Sequence, residues 1–175
     1  MHIRQAVSAD VDSIMDLYDG VSTAMVGTPY DCRWRRGGHP SREFVSGLVL
    51  DEGMLVAFEG DTLVGAVGTD HDLGHDYGEL PWLCDVPDHL VAVIHLLVVR
   101  EGWRGGGISR QLLAACLNVA RARGMRTARL DATANNAPAI ALYLSEGFYK
   151  VGEGVQDVGP RDDPHVPFVV LERVL

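Results

Sequence analysis

Three consecutive glycines, Gly105, Gly106 and Gly107, stand between Trp103-Arg104 and the start of a helical pattern in "WRGGGISRQLL", residues 103–113. Each glycine costs folding entropy, so three in a row imply that something must touch the main chain there. Before them runs "LVAVIHLLVVR" (90–100), a β-branched and leucine stretch that reads as a central strand covered on both faces. After them, Ile108, Leu112, Leu113, Cys116, Leu117 and Ala120 fall on one helical stripe, with Gly124 as the stop. A strand, a glycine turn and a helix N-terminus make an anion cradle, because free N–H groups converge there and the helix dipole adds positive potential. Arg104 adds planar donors that suit phosphate oxygens. The expected ligand is a phosphate ester or pyrophosphate.

Two common nucleotide motifs fail at this point. The pattern G-x-x-x-x-G-K-[ST] lacks its Lys-Ser or Lys-Thr pair, which argues against an ATP-dependent enzyme. The dinucleotide fingerprint G-x-G-x-x-G fits Gly105 and Gly107 but meets Arg110 at its third glycine. A third pattern matches. "RGGGIS" (104–109) resembles the R/Q-x-x-G-x-G/A pyrophosphate loop of the GCN5-related N-acetyltransferase (GNAT) superfamily, with Ser109 where Gly or Ala is usual. Downstream, "NAPAIALYLSEGF" (136–148) resembles that superfamily's N-x-x-A-x-x-L-Y-x-x-x-G-F signature at Asn136, Ala139, Leu142, Tyr143, Gly147 and Phe148.

The resemblance covers about residues 91–152 and implies an α/β (α+β) fold. Its elements are a mixed, mostly antiparallel sheet of six or seven strands, helices on both faces, and a central strand pair splayed to admit acyl-CoA. It implies that the main chain of Leu97, Val98 and Val99 pairs with the pantetheine arm. Arg104, Gly105, Gly106, Gly107, Ile108, Ser109 and Arg110 then hold the pyrophosphate, Asn136 lies beside the CoA arm, and Tyr143 reaches the thioester sulfur. Acetyl-CoA is the implied acyl donor and no metal is expected.

An amine that attacks a thioester needs a neutral nitrogen, oxyanion stabilisation and a proton for the departing thiolate. A main-chain N–H near Val99 could serve the oxyanion. Tyr143 is the candidate general acid, since a phenol keeps its proton at neutral pH; an aromatic packed under a helix end is the alternative. His95 precedes Leu97 by two residues and Val99 by four, so strand alternation puts all three on one side. It is the candidate base, with a satisfied core histidine as the competing reading and Glu79 as the second candidate.

The elements that must position these groups follow from local pattern. "HIRQA" (2–6) reads as a strand, and Ser8 or Asp10 caps a helix carrying Val11, Ile14, Met15, Leu17 and Tyr18. Residues 20–40 read as loop, and a second helix starts at Ser41 with Phe44, Val45, Leu48 and Val49. "MLVAFEGDTLVGAVGT" (54–69) is a hairpin with a Gly-Asp turn. "DHDLGHDYGELPWLCDVPDH" (70–89) is a long loop or lip. In "RTARLDA" (126–132), Ala128, Leu130 and Ala132 alternate with Thr127, Arg129 and Asp131. Asn135 or Asn136 caps the next helix, Pro138 lies in its first turn and Gly147 ends it. "FYKVGE" and "VPFVVLERVL" close the sheet.

The 175 residues suit one domain, expected to span 1–175. With 24 acidic against 15 basic residues the net charge is −9, which disfavours nucleic-acid binding. Asp70, Asp72, Asp76, Glu79 and Asp85 suggest a cationic small-molecule amine as acceptor; a protein N-terminus is the alternative substrate, and a CoA-binding sensor without turnover the alternative class. His71 and His75 read as part of a solvated acidic loop rather than a metal site. Trp34, "HPSRE" (39–43), Tyr77 and Trp82 are either acceptor-side groups or ordinary anchors. Cys116 reads as core. Cys32, Cys84 and Cys116 form no C-x-x-C pair, the N-terminus lacks a leader pattern, and no apolar run nears the roughly 18 residues of a membrane span. These features place the expected protein in the cytoplasm, away from membranes. The fold that the resemblance implies often pairs through exposed β-edges, so a homodimer is the assembly it suggests.

Overall fold

The computed structural model describes residues 1–74, 79–157 and 165–175. The strands are β1 (His2–Gln5), β2 (Met54–Glu59), β3 (Thr62–Asp70), β4 (Val91–Val99), β5 (Thr127–Thr133), β6 (Tyr149–Asp157) and β7 (His165–Val174). The helices are α1 (Val11–Met25), α2 (Arg42–Leu50), α3 (Ile108–Ala122) and α4 (Ala137–Ser145). The strands form one seven-stranded sheet in the order β1-β2-β3-β4-β5-β7-β6. β1 with β2, β2 with β3, β5 with β7 and β6 with β7 are antiparallel, whereas β4 and β5 are parallel. This is the mixed, mostly antiparallel α/β architecture expected. No helix among the described residues is long and apolar enough to cross a membrane.

The chain divides into two compact units. The first comprises Met1–Ala24, Trp34–Asp70 and Ile94–Val119. Its β2–β3 hairpin turns at Gly60, whose φ of +56° suits glycine best. Ser41 Oγ accepts the Phe44 N–H at 3.1 Å and starts α2 as expected. Val45, Leu48 and Val49 of α2 are buried, each worth about 1.5–3 kcal/mol of transfer free energy. At Gly65 of β3 an added Cβ would lie 2.8 Å from Leu112 Cδ1 and 2.9 Å from Val98 O, so α3 and β4 approach a bare backbone.

The segment expected as loop from residue 20 is helical as far as Met25. Gly20 costs α1 about 1 kcal/mol of propensity, but the stripe of Ile14, Leu17, Tyr18 and Val21 is buried and outweighs it. Asp10 contributes before the helix proper: its carboxylate takes Arg4 in a two-pronged pair at 2.7 and 2.8 Å and accepts the Val7 N–H at 2.8 Å. The Arg4 hydrogen bond, more than the Val7 bond, holds the Asp10 pKa below its ordinary value against an opposing burial effect.

The second unit comprises Met25–Arg33, His71–Val93 and Ala120–Leu175. Here both faces of β5 are buried over residues 127–130. Thr127 and Arg129 are as sequestered as Ala128 and Leu130. The cause is Glu172 of β7, fully buried at 0 % exposure, which accepts from Arg129 Nε at 3.0 Å, from Thr127 Oγ1 at 2.9 Å and from the Leu83 N–H. The Arg129 guanidinium also stacks 3.9 Å over Trp82 and donates to Cys84 O at 2.8 Å. These two contacts fasten residues 82–84 to β5.

Candidate active site

The strand leading into the glycine loop is irregular. Leu96 of β4 has φ 58°, a left-handed conformation that costs a non-glycine residue about 1–2 kcal/mol. Tyr18 of α1 holds it there, donating its hydroxyl to Leu96 O at 2.9 Å. Burial raises the Tyr18 phenol well above its ordinary range, so the group stays a donor. Burial alternates through the kink: His95, Leu97 and Val99 are half-buried, Leu96 and Val98 buried. Burial thus keeps a two-residue rhythm while the backbone departs from a regular strand. The parallel register of β4 with β5 pairs Val91, Ala92 and Val93 with Thr127, Ala128 and Arg129, and the kink comes three residues later.

His95 is paired. Its Nε2 lies 2.8 Å from Asp70 Oδ1 at the end of β3. The imidazole meets Phe44 edge to face, with centroids 5.7 Å apart at 81°. Phe44 in turn stacks on His39 at 6.3 Å, His39 meets Trp34 at 5.5 Å, and Trp34 meets Tyr18 at 6.0 Å. Trp34, His39 and Phe44 therefore form a row of rings that ends at His95, all within the first unit.

Past Val99 the chain turns, with the Trp103 N–H bonded to Arg100 O at 3.1 Å. Gly105 and Gly107 have φ of +83° and +77°, while Gly106 between them is not left-handed. Left-handed residues of this kind occur in the backbone nests that receive anions. The first α3 bond runs from Gln111 N–H to Gly107 O at 3.1 Å. The amides of Ile108, Ser109 and Arg110 thus lie in the first turn, where a helix has no carbonyl of its own to offer them. Nothing lies within 4 Å of the Cβ that a side chain at Gly105 would add. Arg104 is exposed and its Nε reaches Val99 O at 3.5 Å. First-turn amides without helical acceptors, open space at Gly105 and an exposed guanidinium are groups that suit an anion.

Asn136 immediately precedes α4 and Tyr143 sits on it, both in the second unit. Asn136 Oδ1 caps the helix from Ala139 N–H at 3.4 Å, so of the two asparagines it is the cap. Asn135 instead donates to the carbonyls of Pro29 and Asp31. Tyr143 is buried, with its ring edge to face on Phe148 at 5.8 Å. Glu79 and Asp85 are exposed, and Asp72 accepts the Gly74 N–H at 2.7 Å. His71 Nδ1 bonds to Val91 O at 2.7 Å. Asp76, His75 and Tyr77 lie outside the described residues. Cys116 is core, its thiol pushed up to about 12 by burial.

Three features of this region escape sequence reading: the Leu96 kink, the Asp70 partner of His95 and the ring row. Asp70 and His95 lie 25 residues apart on strands adjacent in the sheet, and no spacing rule connects them.

A mixed seven-stranded sheet whose kinked β4 leads through a glycine loop into the first turn of α3 defines the chain as an α/β protein. Within that class, the profile of the Acetyltransferase (GNAT) family matches residues 23–148, and the chain belongs to that family. A mycothiol acetyltransferase of Beutenbergia cavernae is 38% identical over 88 residues, covering 48% of this chain and 30% of that relative. The chain therefore matches under a third of the length of that curated relative. Two solved structures share the fold, each with a TM-score of 0.74. A ribosomal-protein-alanine N-acetyltransferase from Brucella melitensis is 23% identical, with all of both chains covered. A putative acetyltransferase from Salmonella typhimurium, solved with its cofactor acetyl-CoA, is 19% identical, covering 100% of this chain and 94% of that one.

Proposed function

We propose that residues 1–175 form one acyltransferase domain that moves an acetyl group from acetyl-CoA to the primary amine of a small molecule. The observation that carries this reading is the nest at Gly105 and Gly107 opening onto the first turn of α3, in a chain of the acetyltransferase family. The family match runs through segments of both compact units, which supports a single domain. When bound, acetyl-CoA supplies an acetyl group activated as a thioester. The amides of residues 105–110 and Arg104 bind the diphosphate, and the main chain of Leu97, Val98 and Val99 orients the pantetheine arm. Asn136 serves that arm from the start of α4. His95 takes a proton from the acceptor ammonium, and Tyr143 holds a proton at Oη for the departing thiolate.

The names of similar proteins point two ways, to mycothiol for the curated relative and to a ribosomal-protein alanine for one solved structure. The acidic composition supports a cationic acceptor. The test is calorimetry with CoA, followed by thiol release from acetyl-CoA with a panel of polyamines, amino sugars, amino-acid derivatives and alanine-leading peptides. Turnover of a small amine above the peptides is the expected result. No CoA binding refutes acetyl transfer, peptide preference refutes the small-molecule acceptor, and binding without any turnover makes the protein a sensor.

A further inference from the structure

We propose that Asp70 is a positioning residue for His95, holding the imidazole proton on Nε2 so that Nδ1 is the atom that takes the acceptor's proton. The inference rests on the acetyl-transfer reading and adds to it the atom and the group behind it. An ionised carboxylate only accepts hydrogen bonds, so the 2.8 Å contact between His95 Nε2 and Asp70 Oδ1 places a proton on Nε2. The side chains are 18% and 29% exposed, sheltered enough to limit competition from water for that bond.

The ring is fixed from three directions. Asp70 sets its tautomer, Phe44 meets it edge to face at 5.7 Å and 81°, and Tyr18 clamps the carbonyl of Leu96, the next residue along the backbone. Phe44 is itself backed by His39 and Trp34. Among the described residues, Nδ1 has no hydrogen-bond partner. With Nε2 facing the carboxylate, the neutral form of the ring offers the Nδ1 lone pair, as a general base requires.

The proton balance is simple. An acceptor ammonium gives one proton to Nδ1 and becomes a neutral amine, while Asp70 keeps its negative charge and stabilises the imidazolium. The nitrogen–carbon bond forms as the carbon–sulfur bond breaks, and the thiolate takes the Tyr143 proton. The nitrogen's second proton restores the phenol through solvent, and the imidazolium proton is released, so one proton leaves per turnover.

The test combines NMR and kinetics on the full chain. In histidine-labelled wild type, His95 is expected as the Nε2-protonated tautomer with an exchange-protected, downfield Nε2 proton, and that signal is lost in Asp70→Asn. With acetyl-CoA and the best amine of the panel, His95→Gln should lower kcat by about a hundredfold or more. Asp70→Asn should lower kcat by roughly tenfold to a hundredfold with the amine KM changed by less than about threefold, and Asp70→Glu should recover part of it. An Nδ1-protonated His95 in the wild type, or Asp70→Asn with unchanged kcat, overturns the proposal. The tautomer measurement needs no acceptor, so it decides for or against Asp70 even where no amine is turned over and acetyl transfer itself fails.

Discussion

Glu172→Ala removes the centre of a fully buried polar network. The carboxylate receives Arg129 Nε at 3.0 Å, Thr127 Oγ1 at 2.9 Å and the Leu83 amide, and its loss leaves a guanidinium that is 7 % exposed without its counter-charge. Removing one member of a buried ion pair costs about 3–5 kcal/mol, because the other charge keeps its desolvation penalty. For a domain of this size each kcal/mol lowers Tm by about 2–4 °C, so the midpoint should fall by roughly 6–20 °C. Thermal unfolding followed by circular dichroism and a urea midpoint measure the loss, and hydrogen exchange at Leu83 should speed up in the variant. Arg129→Met should be damaging in the same way, whereas the double variant Arg129→Met/Glu172→Met replaces the pair by apolar volume and should lose less than either single change. A loss below about 1 kcal/mol in Glu172→Ala, or strict additivity in the double variant, refutes the reasoning.

Asp10→Asn should destabilise at neutral pH. The folded Asp10 pKa is depressed, chiefly by Arg4, so its contribution is complete above the unfolded value of about 3.9 and is lost as pH falls through the folded value; the gap between variant and wild type, followed by denaturant titration, should close in acid. Tyr18→Phe strips Leu96 O of its donor beside a strained φ and should cost about 1–3 kcal/mol in urea unfolding. Gly107→Ala forces a side chain into φ +77°, at about 1–2 kcal/mol, and by disturbing the nest should weaken CoA about tenfold in calorimetry. Tyr143→Phe should lower kcat by about a hundredfold or more and leave CoA affinity unchanged, and an equal kcat removes Tyr143 from the acid role.

Residue order alone determined the features whose cause is local. The glycine loop at 105–107, the stop at Gly124, the cap at Ser41, the apolar stripe of α3 and the Gly60 turn each depend on a few neighbours along the chain. These made the glycine loop and most of the element order legible. Tertiary structure decided what depends on strand register and depth of burial. It carried α1 through Gly20, put a left-handed leucine under a tyrosine hydroxyl, gave His95 a carboxylate from 25 residues away, and buried Arg129 on Glu172 at a separation of 43. A charge pattern does not say which polar groups will leave water together. That is settled only when the sheet closes and each buried donor must find its acceptor.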